Sequence, residues 1–226
     1  MTNQGPELEG IIFDFDGIVI DSEPLHFQAF LDMLEPFGLS FTWEEYETIF
    51  MGMDDRDAFR TVFEQGKISL TEAERDALIE KKAHHFPVLV EERGAPVFDG
   101  VVELIRAQAK AGKLGLSSGA LRSDIAPVLR KLELEGLFGA MVTADDVAKS
   151  KPDPESYCRC LELLGAKDPA KWFAIEDTMA GISSAKGAGM TVLAVTNSYP
   201  ADQLQAADFV VDSLAEVTPD VLTSWL

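Results

Sequence analysis

Four short segments of this sequence carry side chains that bind divalent cations or phosphate groups. They are Asp14-Phe15-Asp16-Gly17, Ser117-Ser118-Gly119, Lys149–Pro154 and Ile175–Thr178. Carboxylate oxygens are ligands that Mg²⁺ accepts in proteins. Hydroxyl and amide groups beside a glycine cradle phosphate oxygens, and a rigidly held ammonium neutralises charge on a phosphoryl group. The four segments together indicate phosphate chemistry assisted by a metal ion.

The first segment places two carboxylates, Asp14 and Asp16, at the end of the nearly continuous apolar run Gly10–Phe15. Two acids at the end of a buried strand are costly unless a cation or a function compensates for them. Gly17 indicates a sharp turn at this point. The alternative interpretation is a solvated strand end followed by an ordinary turn.

The second and third segments offer groups that bind phosphate oxygens. Ser118 contributes a hydroxyl and Gly119 a backbone amide, although serine and glycine are also common loop residues. Lys151 stands between Lys149 and the two prolines Pro152 and Pro154. Pro152 biases Lys151 away from helical conformation and stiffens the segment. A surface loop that opens a helix explains the same residues, and the two interpretations are compatible.

The fourth segment ends an apolar run with two adjacent acids, Glu176 and Asp177. Mg²⁺ usually takes one or two protein carboxylates and completes its shell with water and phosphate oxygens. Glu176 and Asp177 are therefore candidate metal ligands. The alternative is that Asp177 or Thr178 only caps the helix that follows.

Alternating strands and helices must position these segments. Short apolar runs predict strands, and amphipathic segments between most of them predict helices, so we expect a doubly wound, Rossmann-like parallel α/β sheet. The predicted strands are Gly10–Phe15, Lys113–Ser118, Ala140–Thr143, Trp172–Glu176, Met190–Val195 and Phe209–Val211. Ligands of such sheets bind beyond the carboxyl ends of the strands. All four segments are therefore expected in one crevice.

Residues 18–88 interrupt this alternation with helices only, which predicts an inserted all-α cap domain. Ser22 is a candidate N-cap, and Thr42 with Glu45 and Thr71 with Glu74 have the spacing of capping boxes. The predicted domains are thus an α/β core, residues 1–17 and 89–226, and a helical cap, residues 18–88.

The chain of 226 residues is strongly acidic, with 39 acidic and 19 basic residues and a net charge of −20. Such a surface repels nucleic acid and anionic membranes, so neither is an expected partner. Two cysteines in a chain of this length favour a reducing compartment. With no apolar run long enough to span a bilayer, we expect a soluble cytoplasmic protein, and the sequence leaves its oligomeric state open.

The order of these motifs resembles the haloacid dehalogenase superfamily, in the branch with a helical cap that includes phosphoglycolate phosphatases and β-phosphoglucomutases. The first motif matches Asp14–Gly17 with the extension Asp21-Ser22-Glu23, and the second and third match Ser118 and Lys151. The fourth motif matches Glu176–Ile182 with Ala188-Gly189-Met190. The resemblance covers nearly the whole chain.

This resemblance implies that Asp14 is a nucleophile that attacks phosphorus and that Asp16 is the acid and base for the leaving oxygen and for water. It also implies that Ser118, Gly119 and Lys151 hold the phosphoryl oxygens. The implied cofactor is Mg²⁺, bound by the Asp14 side chain, the Asp16 carbonyl, Asp177 and Glu176. Carbon–halogen cleavage does not need an acid at position 16, so Asp16 argues against a dehalogenase.

The resemblance assigns the choice of substrate to the cap. His26 corresponds to a mutase histidine linked to closure, and Lys82 to a mutase lysine, although Lys81-Lys82 is equally typical of a solvated helix face. Mutases of this branch grip a second phosphate with an arginine in the loop that Met51–Arg56 resembles. Here Asp55 matches that position and Arg56 follows it. This departure argues against a mutase, whereas a shift of the alignment by one residue would place Arg56 there and restore that hypothesis.

Hydrolysis of a small phosphomonoester, a sugar phosphate or a similar metabolite, is therefore the expected function. A β-phosphoglucomutase-like isomerase is the second hypothesis. A degenerate member of the family that only binds its ligand is the third. Phosphate release from a panel of metabolites, isomerisation primed by a bisphosphate, and metal-independent binding without turnover separate the three.

Overall fold

The computed structural model describes residues 7–51, 53 and 55–226, and these divide into two compact units. One unit combines the chain up to Asp21 with Pro96–Leu226, and the other is Ser22–Ala95. The division lies later along the chain than the predicted cap, residues 18–88, at both ends. Residues 18–20 pack in the first unit, where Ile20 forms a bridge to Val97. At the other end, the last helix of the second unit continues to Arg93.

The first unit is built on a parallel sheet of six strands in the order β3-β2-β1-β4-β5-β6, which confirms the predicted doubly wound α/β fold. The strands are β1 (Gly10–Phe13), β2 (Lys113–Ser117), β3 (Ala140–Val142), β4 (Trp172–Glu176), β5 (Thr191–Val195) and β6 (Phe209–Val211). The central strands β1 and β4 are buried at every residue, as their continuous apolar sequences require. The strand order reverses direction between them, and parallel sheets bind ligands beyond such a point.

Nine α-helices occur in the described residues. They are α1 (Glu23–Leu34), α2 (Trp43–Glu45, continued as a π-helical turn Tyr46–Phe50), α3 (Asp55–Gln65), α4 (Glu72–Arg93), α5 (Val101–Ala111), α6 (Arg122–Lys131), α7 (Glu155–Leu164), α8 (Met179–Gly187) and α9 (Pro219–Trp225). Helices α5 to α9 belong to the sheet unit, and α1 to α4 form the second unit. No helix of the described ranges has the length and apolar character needed to cross a membrane.

The helical unit has its own core, which is rich in aromatic side chains. Phe30, Phe41, Phe50 and Phe59 are among its buried members, and many of the rings pack edge-on or tilted, as aromatic pairs prefer. This separate core explains how the described residues of Ser22–Ala95, which include no strand, form a compact unit.

The N-caps predicted for the helices of this unit are present in the structure, with one exception. Both predicted capping boxes are present, with Thr42 and Thr71 accepting from the backbone of Glu45 and Glu74. Helix α1 begins after Ser22, but the Ser22 hydroxyl makes no capping bond and is buried with no hydrogen-bond partner among the described residues. The predicted side-chain cap is wrong because Ser22 has helical φ and ψ rather than the extended geometry that an N-cap needs.

Candidate active site

Asp14 extends strand β1 by one residue. Its backbone amide donates to the carbonyl of Ile175 (3.0 Å), so the chain still follows β4 at this point. The residue is 8% exposed, and Oδ1 of its carboxylate accepts from the amide of Phe15 (2.7 Å). The chain then turns at Gly17, where φ is +76° and a Cβ would overlap the carboxylate of Asp177. Glycine is therefore required for both its conformation and its size.

Lys151 links two of the acids. Its ammonium lies 3.0 Å from Oδ1 of Asp14 and 2.6 Å from Oε1 of Glu176, and it donates to the carbonyl of Ser117 (3.1 Å). Burial alone would lower the pKa of Lys151, but the charges of Asp14 and Glu176 raise it above its usual value. Lys151 thus remains a cation inside the site.

Glu176 is completely buried, and both of its oxygens have donors. Oε1 accepts from Lys151 and from the hydroxyl of Tyr157 (2.7 Å). Oε2 accepts from the amide of Asp177 and the hydroxyl of Thr178, both at 3.3 Å. Thr178 is also the N-cap of α8, since its hydroxyl accepts from the amide of Gly181. Helix capping, the alternative interpretation of this segment, therefore holds for Thr178, while Glu176 and Asp177 face the site.

Asp177 differs from Glu176 because only one of its oxygens is occupied. The hydroxyl of Ser198 donates to Oδ2, whereas Oδ1 is buried and has no hydrogen-bond partner among the described residues. Burial, followed by the charge of Glu176, raises the pKa of Asp177 to about 7. Burial and the charge of Glu176 also raise the pKa of Asp14 well above its usual range. A positive charge at this point would relieve both groups.

The acids can hold a divalent cation. Asp14, Glu176 and Asp177 each offer a carboxylate oxygen within 4.8 Å of the others. The set consists of hard oxygen donors, as Mg²⁺ requires, and a cation would satisfy Oδ1 of Asp177, a buried acceptor without a partner among the described residues. The residues present therefore fit a magnesium site.

The groups predicted to bind phosphate oxygens lie on the neighbouring strand. Since Phe13 pairs with Leu116 in the β1–β2 ladder, Asp14 is level with the end of β2. Ser118 is 2% exposed and its oxygen accepts from the amide of Ala120 (3.0 Å), which leaves the hydroxyl proton available to donate. Gly119 is exposed, with no heavy atom within 4 Å of a Cβ built on it. Space therefore remains there for a ligand.

Asp16 is half-buried beyond the strand end. It bridges to Ile20, and its charge raises the pKa of Asp177. Asp16 is thus within electrostatic reach of the acidic cluster, and its side chain does not belong to the group of possible metal-binding carboxylates. This arrangement is compatible with the prediction that Asp16 binds the metal ion through its backbone carbonyl.

Three of the four predicted cap residues form a separate cluster within the helical unit. Lys82 is 3% exposed, and its ammonium lies 2.6 Å from Oδ1 of Asp55, 3.5 Å from Nδ1 of His26 and 4.0 Å from the ring centre of Phe30. His26 stacks on Phe86 at 4.1 Å. Burial, together with the charge of Lys82, lowers the pKa of His26 to about 3.

The structure corrects one interpretation of the cap and separates one residue from the cluster. A solvated helix face is wrong for Lys82, because the residue is buried against Phe30, although Lys81 is exposed. Arg56 is also exposed and pairs with Asp76 at 3.5 Å on the surface of the unit. Gly52 and Asp54, in the predicted specificity loop, lie outside the described residues.

Three further residues at the site escaped the sequence analysis. Tyr157 lies inside α7, where nothing in the sequence distinguishes a site residue from a core residue. Asn197 and Ser198 follow β5 directly, and their side chains reach Gly17 and Asp177. The rule that carboxyl ends of parallel strands meet at one edge would have found these two, because they are polar residues after an apolar strand.

Comparison with known proteins supports a relationship along nearly the whole chain. Residues 11–195 match the family described as haloacid dehalogenase-like hydrolase. A phosphorylated carbohydrates phosphatase of Thermotoga maritima is 34% identical over 185 residues, covering 81% of this chain and 82% of the relative. The β-phosphoglucomutase of Bacillus subtilis is 28% identical, with 95% and 94% covered. The crystal structure of CbbY from Rhodobacter sphaeroides in complex with phosphate has the same fold, with a TM-score of 0.79 at 24% identity, over 93% of this chain and 96% of that one.

Proposed function

We propose that this chain, which belongs to the haloacid dehalogenase-like hydrolases and is a phosphatase of that family, hydrolyses a small phosphomonoester through a phosphate ester on Asp14. The substrate class we propose is a sugar phosphate or a similar phosphorylated metabolite. One observation carries the proposal: the Asp14 carboxylate is held 3.0 Å from the Lys151 ammonium, and one of its oxygens lies within 4.8 Å of a carboxylate oxygen of Asp177. An anionic nucleophile, a cation that attracts phosphate oxygens and carboxylates that can bind a metal ion therefore lie close together.

In the proposed reaction an oxygen of Asp14 attacks the phosphorus, and the bond from phosphorus to the leaving oxygen breaks. Asp16 donates a proton to that oxygen and then accepts one from the water that cleaves the aspartyl phosphate. Ser118 donates its hydroxyl, Gly119 its amide and Lys151 its ammonium to the remaining phosphoryl oxygens. Phosphoryl transfer depends mainly on such positioning and on electrostatics.

We propose Mg²⁺ as the cofactor, held by the Asp14 side chain, the Asp16 carbonyl and Asp177. When bound, the ion supplies positive charge that relieves the repulsion between the Asp14 carboxylate and the phosphate oxygens. Glu176 is the weakest of the proposed ligands, because both of its oxygens already accept hydrogen bonds. Its main contribution is to hold Lys151.

The contacts in the helical unit favour hydrolysis over sugar phosphate isomerisation. The mutase hypothesis needs a cation at the position of Asp55 for a second phosphate, and a carboxylate stands there instead. The ammonium of Lys82 is already neutralised by that carboxylate at 2.6 Å. Arg56, the neighbouring cation, pairs with Asp76 on the surface. Within our proposal, His26, Asp55 and Lys82 therefore contribute to the selection of substrates that carry a single phosphate.

The partner we propose is thus a small phosphorylated metabolite. A protein that only binds its ligand has no need for the paired carboxylates Asp14 and Asp16, so we regard that hypothesis as the weakest. Both cysteines are free thiols, which supports a cytoplasmic location.

The test is release of inorganic phosphate from a panel of phosphorylated metabolites with and without Mg²⁺, using wild type and Asp14→Asn. We expect metal-dependent release by wild type and none by the variant. Asp220→Asn, an exposed residue at the start of α9, is the matched control and should behave like wild type. Equal release by wild type and Asp14→Asn would remove Asp14 from the mechanism.

A second assay separates hydrolysis from isomerisation. Conversion of β-glucose 1-phosphate to the 6-phosphate, primed by a bisphosphate and faster than phosphate release, would favour the mutase. Metal-independent binding of a metabolite without turnover would favour a binding protein.

A further inference from the structure

The loop after β5 contacts the site through two residues to which no motif assigned a role. The hydroxyl of Ser198 donates to Oδ2 of Asp177. The side-chain amide of Asn197 donates to the carbonyl of Gly17 at 2.6 Å. One short segment thus touches a proposed metal ligand and also the turn that follows Asp14 and Asp16.

The contact with Ser198 makes the two oxygens of Asp177 unequal. Oδ2 is occupied by the hydroxyl, whereas Oδ1 is buried and has no partner in the described part of the chain. Leaving a buried acceptor unsatisfied is costly, especially for a charged group. Oδ1 is therefore the oxygen that is available to a cation.

The residues around Asp177 oppose rotation of its carboxylate. Such a rotation would exchange the positions of Oδ1 and Oδ2 or turn both oxygens toward a cation. Gly17 packs so closely against the carboxylate that a Cβ would overlap it, and Asn197 fixes the carbonyl of the same glycine. The amide of Asp177 is itself held by Oε2 of Glu176. The Ser198 hydroxyl and the backbone of Gly17 thus both restrain the carboxylate.

A carboxylate restrained in this way distinguishes two common cations. Mg²⁺ requires near-octahedral geometry with short bonds to single oxygens, whereas Ca²⁺ takes six to eight oxygens and readily accepts both oxygens of one carboxylate. Holding Oδ2 on a hydroxyl favours binding through Oδ1 alone. That geometry suits Mg²⁺ and deprives Ca²⁺ of a bidentate ligand.

We propose that Ser198 is a positioning residue that makes Asp177 a one-oxygen ligand and thereby selects Mg²⁺ over Ca²⁺. The proposal rests on the metal site of the proposed function. Ser198 lies in the loop after β5, outside the four motif segments. The proposal gives this residue a specific role in metal selectivity.

Calorimetric titration of the full chain with Mg²⁺ and with Ca²⁺, in the absence of substrate, tests the proposal. For Ser198→Ala we expect a loss of Mg²⁺ affinity of about tenfold, the lower end of the range for outer hydrogen bonds to metal ligands. The Ca²⁺ affinity should fall less or rise, so the Mg²⁺/Ca²⁺ ratio decreases. Ser198→Thr retains the hydroxyl and should restore the wild-type ratio.

Thr196→Val is the matched control. Thr196 lies in the same loop and its hydroxyl also donates to a carboxylate, that of Asp212 at 2.9 Å, away from the proposed ligands. Its loss should leave both affinities unchanged. A ratio of two affinities measured in one protein does not depend on how much of the sample is folded.

Two results would overturn the inference, and they are distinguishable. If wild type binds Mg²⁺ and releases phosphate but Ser198→Ala keeps the wild-type affinity ratio, Ser198 has no role in selectivity while the proposed function stands. If wild type binds neither ion, the inference fails together with the metal site of the proposed function.

Discussion

The ammonium nitrogen of Lys151 lies 3.0 Å from Oδ1 of Asp14, and both side chains are almost fully removed from solvent. Buried charges are tolerated when they are paired, and removing one partner leaves the other uncompensated. Lys151 therefore compensates the charge of the acidic cluster in addition to its proposed role toward phosphate. Its removal should affect stability as well as activity.

We expect Lys151→Met to lower the free energy of unfolding by about 3–5 kcal/mol in metal-free buffer, the usual cost of breaking a buried ion pair. Added Mg²⁺ should recover part of this loss, because the ion replaces the missing positive charge. Urea denaturation with and without Mg²⁺ measures both effects. Lys149→Met is the control, since Lys149 is 71% exposed and its pair with Asp153 is worth at most about 1 kcal/mol. Equal stability of Lys151→Met and wild type would contradict this account.

The hydroxyl of Tyr157 provides a second test, because it donates to Oε1 of Glu176 from a fully buried position. Tyr157→Phe should destabilise the protein by about 1–3 kcal/mol, as expected for loss of a hydrogen bond to a buried charged group. Denaturation and phosphate release are the measurements, and kcat should fall because Glu176 also holds Lys151.

The control for Tyr157 is Tyr46→Phe, which removes a hydroxyl that donates to Glu23 at 2.6 Å within the helical unit. It should reduce stability while leaving kcat for phosphate release unchanged. A Tyr157→Phe protein with wild-type stability and kcat would show that the contact with Glu176 contributes nothing.

The Asp55–Lys82 pair predicts a specific order of stabilities. Asp55→Asn leaves the buried ammonium of Lys82 with only the weaker influence of the Glu23 charge. It should cost about 2–4 kcal/mol, below the fully buried case because Glu23 remains and because Asp55 is 31% exposed. Lys82→Met added to Asp55→Asn should recover stability, since an apolar side chain suits that position. Denaturation of the single and double variants forms the cycle.

Arg56→Gln is the control for this pair. Its contact with Asp76 is largely exposed, so its loss should change stability by no more than about 0.5–1 kcal/mol. A double variant less stable than Asp55→Asn would refute the assignment of Asp55 as the counter-ion of Lys82.

His26 predicts a pH effect on stability. Burial and the charge of Lys82 lower the pKa of His26 from 6.5 to about 3 in the folded protein. Between these values the unfolded chain binds a proton that the folded chain does not, so this group makes stability fall as pH decreases below about 6.5. The free energy of unfolding of wild type, measured at several pH values from 7.5 to 4, should therefore fall more steeply than that of His26→Gln. Parallel pH profiles would show that His26 is protonated in the folded protein.

The sequence was sufficient for the sheet and for most of the site because the relevant signals are local. Apolar runs identify strands buried on both faces, and the carboxyl ends of parallel strands must meet at one edge. Asp14, Lys151 and Asp177 could therefore be assigned to one crevice without coordinates. The capping boxes at Thr42 and Thr71 were equally readable, since both partners lie within one helical turn.

The tertiary structure alone decided which atoms pair. Tyr157 reaches Glu176, Asp55 reaches Lys82, and Ser198 reaches Asp177 across 19, 27 and 21 positions of the sequence. Such contacts depend on how a helix is rotated against its neighbours and where a loop crosses a strand end, and no local pattern encodes either. The same applies to the free oxygen of Asp177, because burial and the absence of a donor are properties of the packed site. The residue types thus indicated the chemistry that we propose, and the packing determined which oxygen of Asp177 has no hydrogen-bond donor among the described residues.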